Sequence, residues 1–177
     1  LSEGGTSVRK GKGLMMNSAF PRALLPLVAI YKGLLQFVAV AIVFPVIFVI
    51  LGGTLGPGIF VLPLLFFIQL VMNVGVALLM STIIVFFRDA QNAMNYVNRL
   101  IFLTTPIIYP VGLLPSGIQV VLMWQPFFSL FASYQKVIGG TMPSPGMIFL
   151  AMVWAIGLLV LGASVFMRHE REFAIHL

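Results

Sequence analysis

A chain of 177 residues with 60% hydrophobic and only 8% charged residues does not suit an ordinary water-soluble domain, in which about a quarter of the residues are charged. Its net charge of +6 is dispersed over separate polar positions, which argues against a nucleic-acid patch and for the charge bias that orients membrane helices. The absence of cysteine excludes a disulfide framework, a thiolate metal site and a cysteine nucleophile.

Leu1, Ser2 and Glu3 begin the sequence without an initiating Met or a signal segment, so it reads as a piece of a longer product. Residues 1–23 form a basic cytoplasmic segment with Arg9, Lys10, Lys12 and Arg22. Residues 24–51 form a first span, with Lys32 near enough to its start to snorkel and with Pro45 tolerable inside a bundle. The uncharged turn from Gly52 to Gly58 then faces outward, and 59–87 return as a second span. Arg88, Asp89 and Arg99 mark the next cytoplasmic stretch by the positive-inside rule. Asn92, Tyr96 and Arg99 share one face of a helical extension there.

A third span, short and kinked by Pro106 and Pro110, is predicted over 97–114. The stretch 115–140 is apolar but broken by Pro126 into pieces shorter than a crossing. Counting it as a span would deliver Arg168 and Arg171 to the outside, so it reads as a re-entrant helical hairpin. Residues 146–167 make the last span and 168–177 a charged cytoplasmic tail. The expected architecture is an all-α membrane protein of four transmembrane helices plus a re-entrant hairpin, its transmembrane domain covering 24–167 and both ends cytoplasmic.

An intramembrane enzyme or proton-coupled carrier places ionisable groups inside its spans, and none lies at mid-bilayer here. His169 and His176 belong to the charged tail and suggest no metal site. Gly11, Lys12 and Gly13 lack the spacing and hydroxyl of a phosphate-binding loop. Gln69 and Asn73 share a helix face and suit interhelical hydrogen bonding or the lining of a polar conduit. Phe102, Tyr109, Trp124, Phe127, Phe128, Phe131 and Tyr134 gather around the outer half. They fit an interfacial belt or a surface on which sugar rings stack.

Taken in order, several short motifs resemble the permease subunit of type-2 ABC exporters that move O-antigen, teichoic acid, capsule or galactan chains. They are Phe20-Pro21-Arg22 with Leu24-Leu25-Pro26, Phe87-Arg88-Asp89, and Pro106-Ile107-Ile108-Tyr109-Pro110. Pro115, Trp124-Gln125-Pro126 and Tyr134 follow, then Phe166, Arg168, Glu170, Phe173, Ala174 and Leu177. Departures are Gln125 where the family usually has Asn, Gln135 and Lys136 where an Arg is common, and Ile175 in place of an acidic residue.

The resemblance implies a transport subunit rather than an enzyme, set in a bacterial cytoplasmic (inner) membrane and moving a lipid-linked polysaccharide. It implies a homodimer with a second copy of the permease, an ABC ATPase subunit as partner, and membrane lipids around it. The chain itself binds no cofactor, ATP and Mg being on the partner subunit. Lys12, Leu14, Met15, Asn17 and Phe20 correspond to the helix that couples to the ATPase. Tyr109, Trp124, Phe127 and Phe128 are candidates for the substrate channel, and Arg88 and Arg99 for contact with the substrate's pyrophosphate. Two competing readings are a permease for drugs or small lipids and an intramembrane lipid-modifying enzyme. The latter is disfavoured because Glu3, Asp89, Glu170 and Glu172 form no catalytic constellation.

Overall fold

The computed structural model describes residues 56–87 and 90–169, together with isolated helical positions between 31 and 50. Among the described residues every regular element is helical. A 3-10 turn over Pro57–Val61 leads into α1, Leu62–Phe86. The proline sits in the first positions, where its missing N–H costs nothing. Helix α2 is Ala90–Thr104, α3 is Ser116–Leu122, α4 is Phe128–Ile138 and α5 is Pro145–His169.

The 30-residue stretch Pro57–Phe86 and the 25-residue helix Pro145–His169 are long and apolar enough to cross a membrane. In their most apolar windows only 28% and 17% of residues are buried within the chain. A core helix of a soluble protein is buried nearly all round, so these two expose their apolar surface instead. The second and fourth predicted spans, 59–87 and 146–167, fall on these helices. The first, 24–51, is described only at scattered helical positions such as Tyr31, Leu35 and Ile47.

Among the described residues, one compact unit is built on Val71–Asn98 and on α5 from Ile156. Its central feature is the crossing of α1 and α5 at Gly75 and Gly162. A Cβ on Gly75 would meet the Leu158 carbonyl carbon and the Leu159 nitrogen at 2.5 Å, and one on Gly162 would run into the backbone carbonyl of Gly75. Leu78, Val85 and Phe166 bury together further along, and the rings of Phe86 and His169 stand edge to face at 5.4 Å. Gly75 lies beside Leu158 and Gly162, and Phe86 beside His169, so α1 and α5 run parallel here. His169, read from sequence as part of a solvated tail, is the last residue of α5 and half-buried, its Nδ1 lying 2.9 Å from the Val165 carbonyl. Ser81 and Thr82 both donate to the Leu78 carbonyl, at 2.8 and 3.1 Å, so these buried hydroxyls are satisfied within their own helix.

The other unit is built on Arg99–Ala155 and the stretch ending at Leu70. Helix α2 stops at Thr104 because Pro106 has no N–H to continue the ladder. The chain then bends through a 3-10 turn over Val111–Leu113. Within the predicted third span, 97–114, helix therefore gives way to a turn. Across 115–140, α3 has 7 residues and α4 has 11, about 10 and 16 Å of helix against a hydrocarbon core of about 30 Å. Helix α4 closes with Gly140 at φ 75°. The Thr141 N–H donates to the Lys136 carbonyl at 2.9 Å and the Gly140 N–H to Val137 at 3.0 Å, a helix-ending pattern that requires the left-handed glycine. Gly56 lies against this turn so closely that a Cβ would strike the Gly140 backbone.

Candidate functional site

The unit containing Arg99–Ala155 gathers most of the predicted channel residues around the bend that follows α2. Two backbone features need partners there. The last carbonyls of α2 lack helical donors, and the turn from Pro106 to Val111 has polar groups in apolar surroundings. Tyr109 answers the first need, its hydroxyl donating to the Thr104 carbonyl at 2.9 Å.

Gln135, on α4, answers the second. Its Nε2 donates to the carbonyls of Pro106 at 2.8 Å and Tyr109 at 2.7 Å, while its Oε1 accepts the Val111 N–H at 3.1 Å. One neutral amide thereby holds three backbone groups, which a hydroxyl or a carboxylate could not do. Gln119 of α3 extends the arrangement by donating to Leu114 at 2.8 Å and Val111 at 3.2 Å. Gln125 donates to Thr105 Oγ1 at 3.2 Å. Gln125 and Gln135, departures from the resembled pattern, take bridging roles that no local spacing in the sequence announces. An apolar region holding three glutamines among prolines was the available signal.

Tyr134 donates to Gln69 Oε1 at 2.8 Å, so Gln69 makes the interhelical bond its position suggested. Tyr134→Phe is expected to lower stability by about 1 kcal/mol, measurable as a small fall in the unfolding midpoint in detergent.

The predicted channel residues take different positions. Trp124 is 77% exposed in the turn between α3 and α4, and Tyr109 is half-buried. Phe127 is buried, and Phe128 has no exposed surface at all, packing with Val111 and Ala132. The four therefore do not make one exposed aromatic face. Arg99 is exposed on α2. Arg88 lies outside the described residues, as do Lys12, Leu14, Met15, Asn17 and Phe20. No cluster of metal-ligating side chains occurs among the described residues.

No protein-family profile matches the chain. It is similar to two O-antigen export system permease proteins RfbA of Klebsiella pneumoniae, 25% identical over 165 residues and 21% over 162, each match covering 91% of this chain and 62% of the relative. It is also 25% identical over 174 residues to the O-antigen export system permease protein RfbA of Myxococcus xanthus, covering 97% of this chain and 67% of that protein. The chain thus spans less than two thirds of the length of the Klebsiella relatives. These similarities support the resemblance to type-2 ABC polysaccharide-exporter permeases read from the ordered motifs. With the two apolar helices they indicate a membrane protein.

Proposed function

We propose that this chain belongs to the membrane-spanning permease subunit of an ATP-driven exporter that carries lipid-linked polysaccharide across the bacterial inner membrane. The observation that carries the reading is similarity to permeases named for O-antigen export along at least 91% of the chain. In this reading ATP and Mg act on a separate ATPase subunit, engaged through the segment holding Lys12, Leu14, Met15, Asn17 and Phe20, and two permease copies enclose the path. Arg99 and Arg88 offer guanidinium groups to the substrate's pyrophosphate, a pairing that suits phosphate oxygens.

The parallel course of α1 and α5 supports the four-span arrangement. If both cross the membrane in the same direction, the chain between them makes an odd number of crossings. We assign one crossing to 97–114, the second half of α2 together with the bend after it, and none to α3 and α4, which at 7 and 11 residues are shorter still. A re-entrant hairpin over 115–140 satisfies that parity and brings the chain's end at Arg168 back to the cytoplasmic side.

Depletion in the native host tests the function. Surface polysaccharide is expected to fall while lipid-linked glycan accumulates on the cytoplasmic side, and the tagged protein is expected to bring down an ATPase. Unchanged surface polysaccharide sinks the proposal. For the path itself, Trp124→Ala is expected to cut export about tenfold, the loss of one well-placed contact of roughly 1.4 kcal/mol. Protein levels should stay normal, because the side chain packs on little. A variant that loses drug resistance but exports glycan normally favours the small-molecule permease instead.

A further inference from the structure

Helix α1 carries four polar side chains in its 25 residues, Gln69, Asn73, Ser81 and Thr82. The two hydroxyls donate to the Leu78 carbonyl of their own helix, but the two amides keep free groups. Gln69 accepts from the Tyr134 hydroxyl through its Oε1 at 2.8 Å, which leaves its Nε2 unpaired among the described residues. Asn73 makes no side-chain hydrogen bond among them at all. Both residues are half-buried, and the buried side-chain atoms that lack a partner belong, among the described residues, to Gln125 and Ser129 alone. The free groups of Gln69 and Asn73 are therefore open to the outside of the chain. They lie near the middle of a 30-residue apolar stretch, where hydrocarbon offers no hydrogen-bond partner.

We infer that this edge of α1 borders the route of the exported glycan, with Gln69 Nε2 donating to hydroxyl oxygens of the passing sugars and the Asn73 amide donating and accepting one turn on. Tyr134 is a positioning residue, since by occupying Oε1 it turns the Gln69 donor outward. The inference rests on the exporter reading and adds to it the chemistry met by the sugar chain in the middle of the membrane.

The occupant follows from what the edge offers. An acyl chain has no acceptor for these donors. From Ile68 to Phe86 no residue of α1 is exposed, so this part of the helix presents no stripe of side chains along which a second copy or another helix could pack. No charged residue occurs between 57 and 86, so nothing on the stretch selects an ion. A neutral, slender, hydroxyl-rich chain needs only an edge with spare donors and acceptors. Its hydroxyls have left water, and each one left unpaired against an apolar wall raises the barrier to movement. Gln69 and Asn73 are four residues apart on one uninterrupted helix, about 6 Å of rise, which is on the order of the length of one sugar residue.

Asn73→Leu provides the test, because it breaks no bond among the described residues. In the native host it is expected to lower export about three- to tenfold, the worth of one hydrogen bond, while the unfolding midpoint in detergent stays level or rises with the better helix former. Asn73→Gln, which keeps an amide, should restore most of the rate. Gln69→Leu and Tyr134→Phe both break the 2.8 Å bond, but only the first removes the donor, so Gln69→Leu should export less at equal protein level. The chain has no cysteine, so Asn73→Cys adds one thiol to the parent. A charged methanethiosulfonate reagent, which attacks thiols that water reaches, should modify it in native membranes and spare Val160→Cys on the exposed apolar side of α5. Unchanged export in Asn73→Leu, an export loss there matched by a fallen midpoint, equal export by Gln69→Leu and Tyr134→Phe, or a thiol at 73 as unreactive as that at 160 overturns the placement. Depletion separates the two claims. If it leaves surface polysaccharide unchanged, the exporter reading fails; if it removes the polysaccharide while Asn73→Leu exports normally, only this placement fails.

Discussion

Gly162→Ala is expected to destabilise the protein by about 3 kcal/mol or more, although it adds a single methyl group. The new Cβ would collide with the Gly75 backbone carbonyl. Backbone cannot rotate away as a flexible side chain can, so α5 must move off α1. That movement also separates Phe166 from Leu78 and Val85. For a chain of this size the loss corresponds to a fall of roughly 6–12 °C in unfolding temperature, readable by thermal unfolding in detergent. Gly157 supplies the control, because a Cβ there meets nothing within 4 Å. Gly157→Ala should gain the helix preference of alanine, up to about 1 kcal/mol. If both substitutions behave alike, the close crossing of α1 and α5 is wrong.

Gln135→Leu is expected to be as damaging for a different reason. Leucine is one bond shorter and suits a helix, but it strands the Pro106 and Tyr109 carbonyls and the Val111 N–H. Stranded buried groups cost about 1–3 kcal/mol each, so a loss of about 3–5 kcal/mol is expected once partial hydration of the turn is allowed for. Gln135→Glu is the informative companion. Its carboxylate can still accept from Val111 but repels the two carbonyls, and it should recover little. Denaturant titration of both variants reads the stability, and loss of surface polysaccharide in the native host reads the function. A wild-type midpoint in Gln135→Leu would show that the turn is held by something other than this amide.

These two positions show how far the sequence could be read. The stretches 57–86 and 145–169 declare themselves by uninterrupted apolar length, which is a local property. The α2 region was harder, because polar residues at its start and prolines after its end blur the run. The predicted span began at residue 97, whereas the helix starts at Ala90 and stops at Thr104. Gln135 was out of reach because its partners lie 24 to 29 residues away, and no local spacing announces such a meeting. The aromatic cluster was legible as a cluster but not in its directions. Trp124 turns outward and Phe128 inward, a choice made by packing against Val111 and Ala132. The close approach of Gly75 to Gly162 was equally hidden, since a glycine in an apolar run looks the same whether or not a neighbour rests on it.

The amide of Gln135 has a consequence that reaches beyond stability. In the proposed re-entrant arrangement, a charge held at this place would perform electrical work in a membrane potential, about 2.3 kcal/mol for a full crossing of 100 mV, and a titratable group would answer to the acidity around it. A carboxamide does neither. The bend after α2 is thus fastened by a clasp with no net charge and no proton to lose, and its grip on Pro106, Tyr109 and Val111 stays the same whether the cell is energised or discharged, in acid or in neutral surroundings.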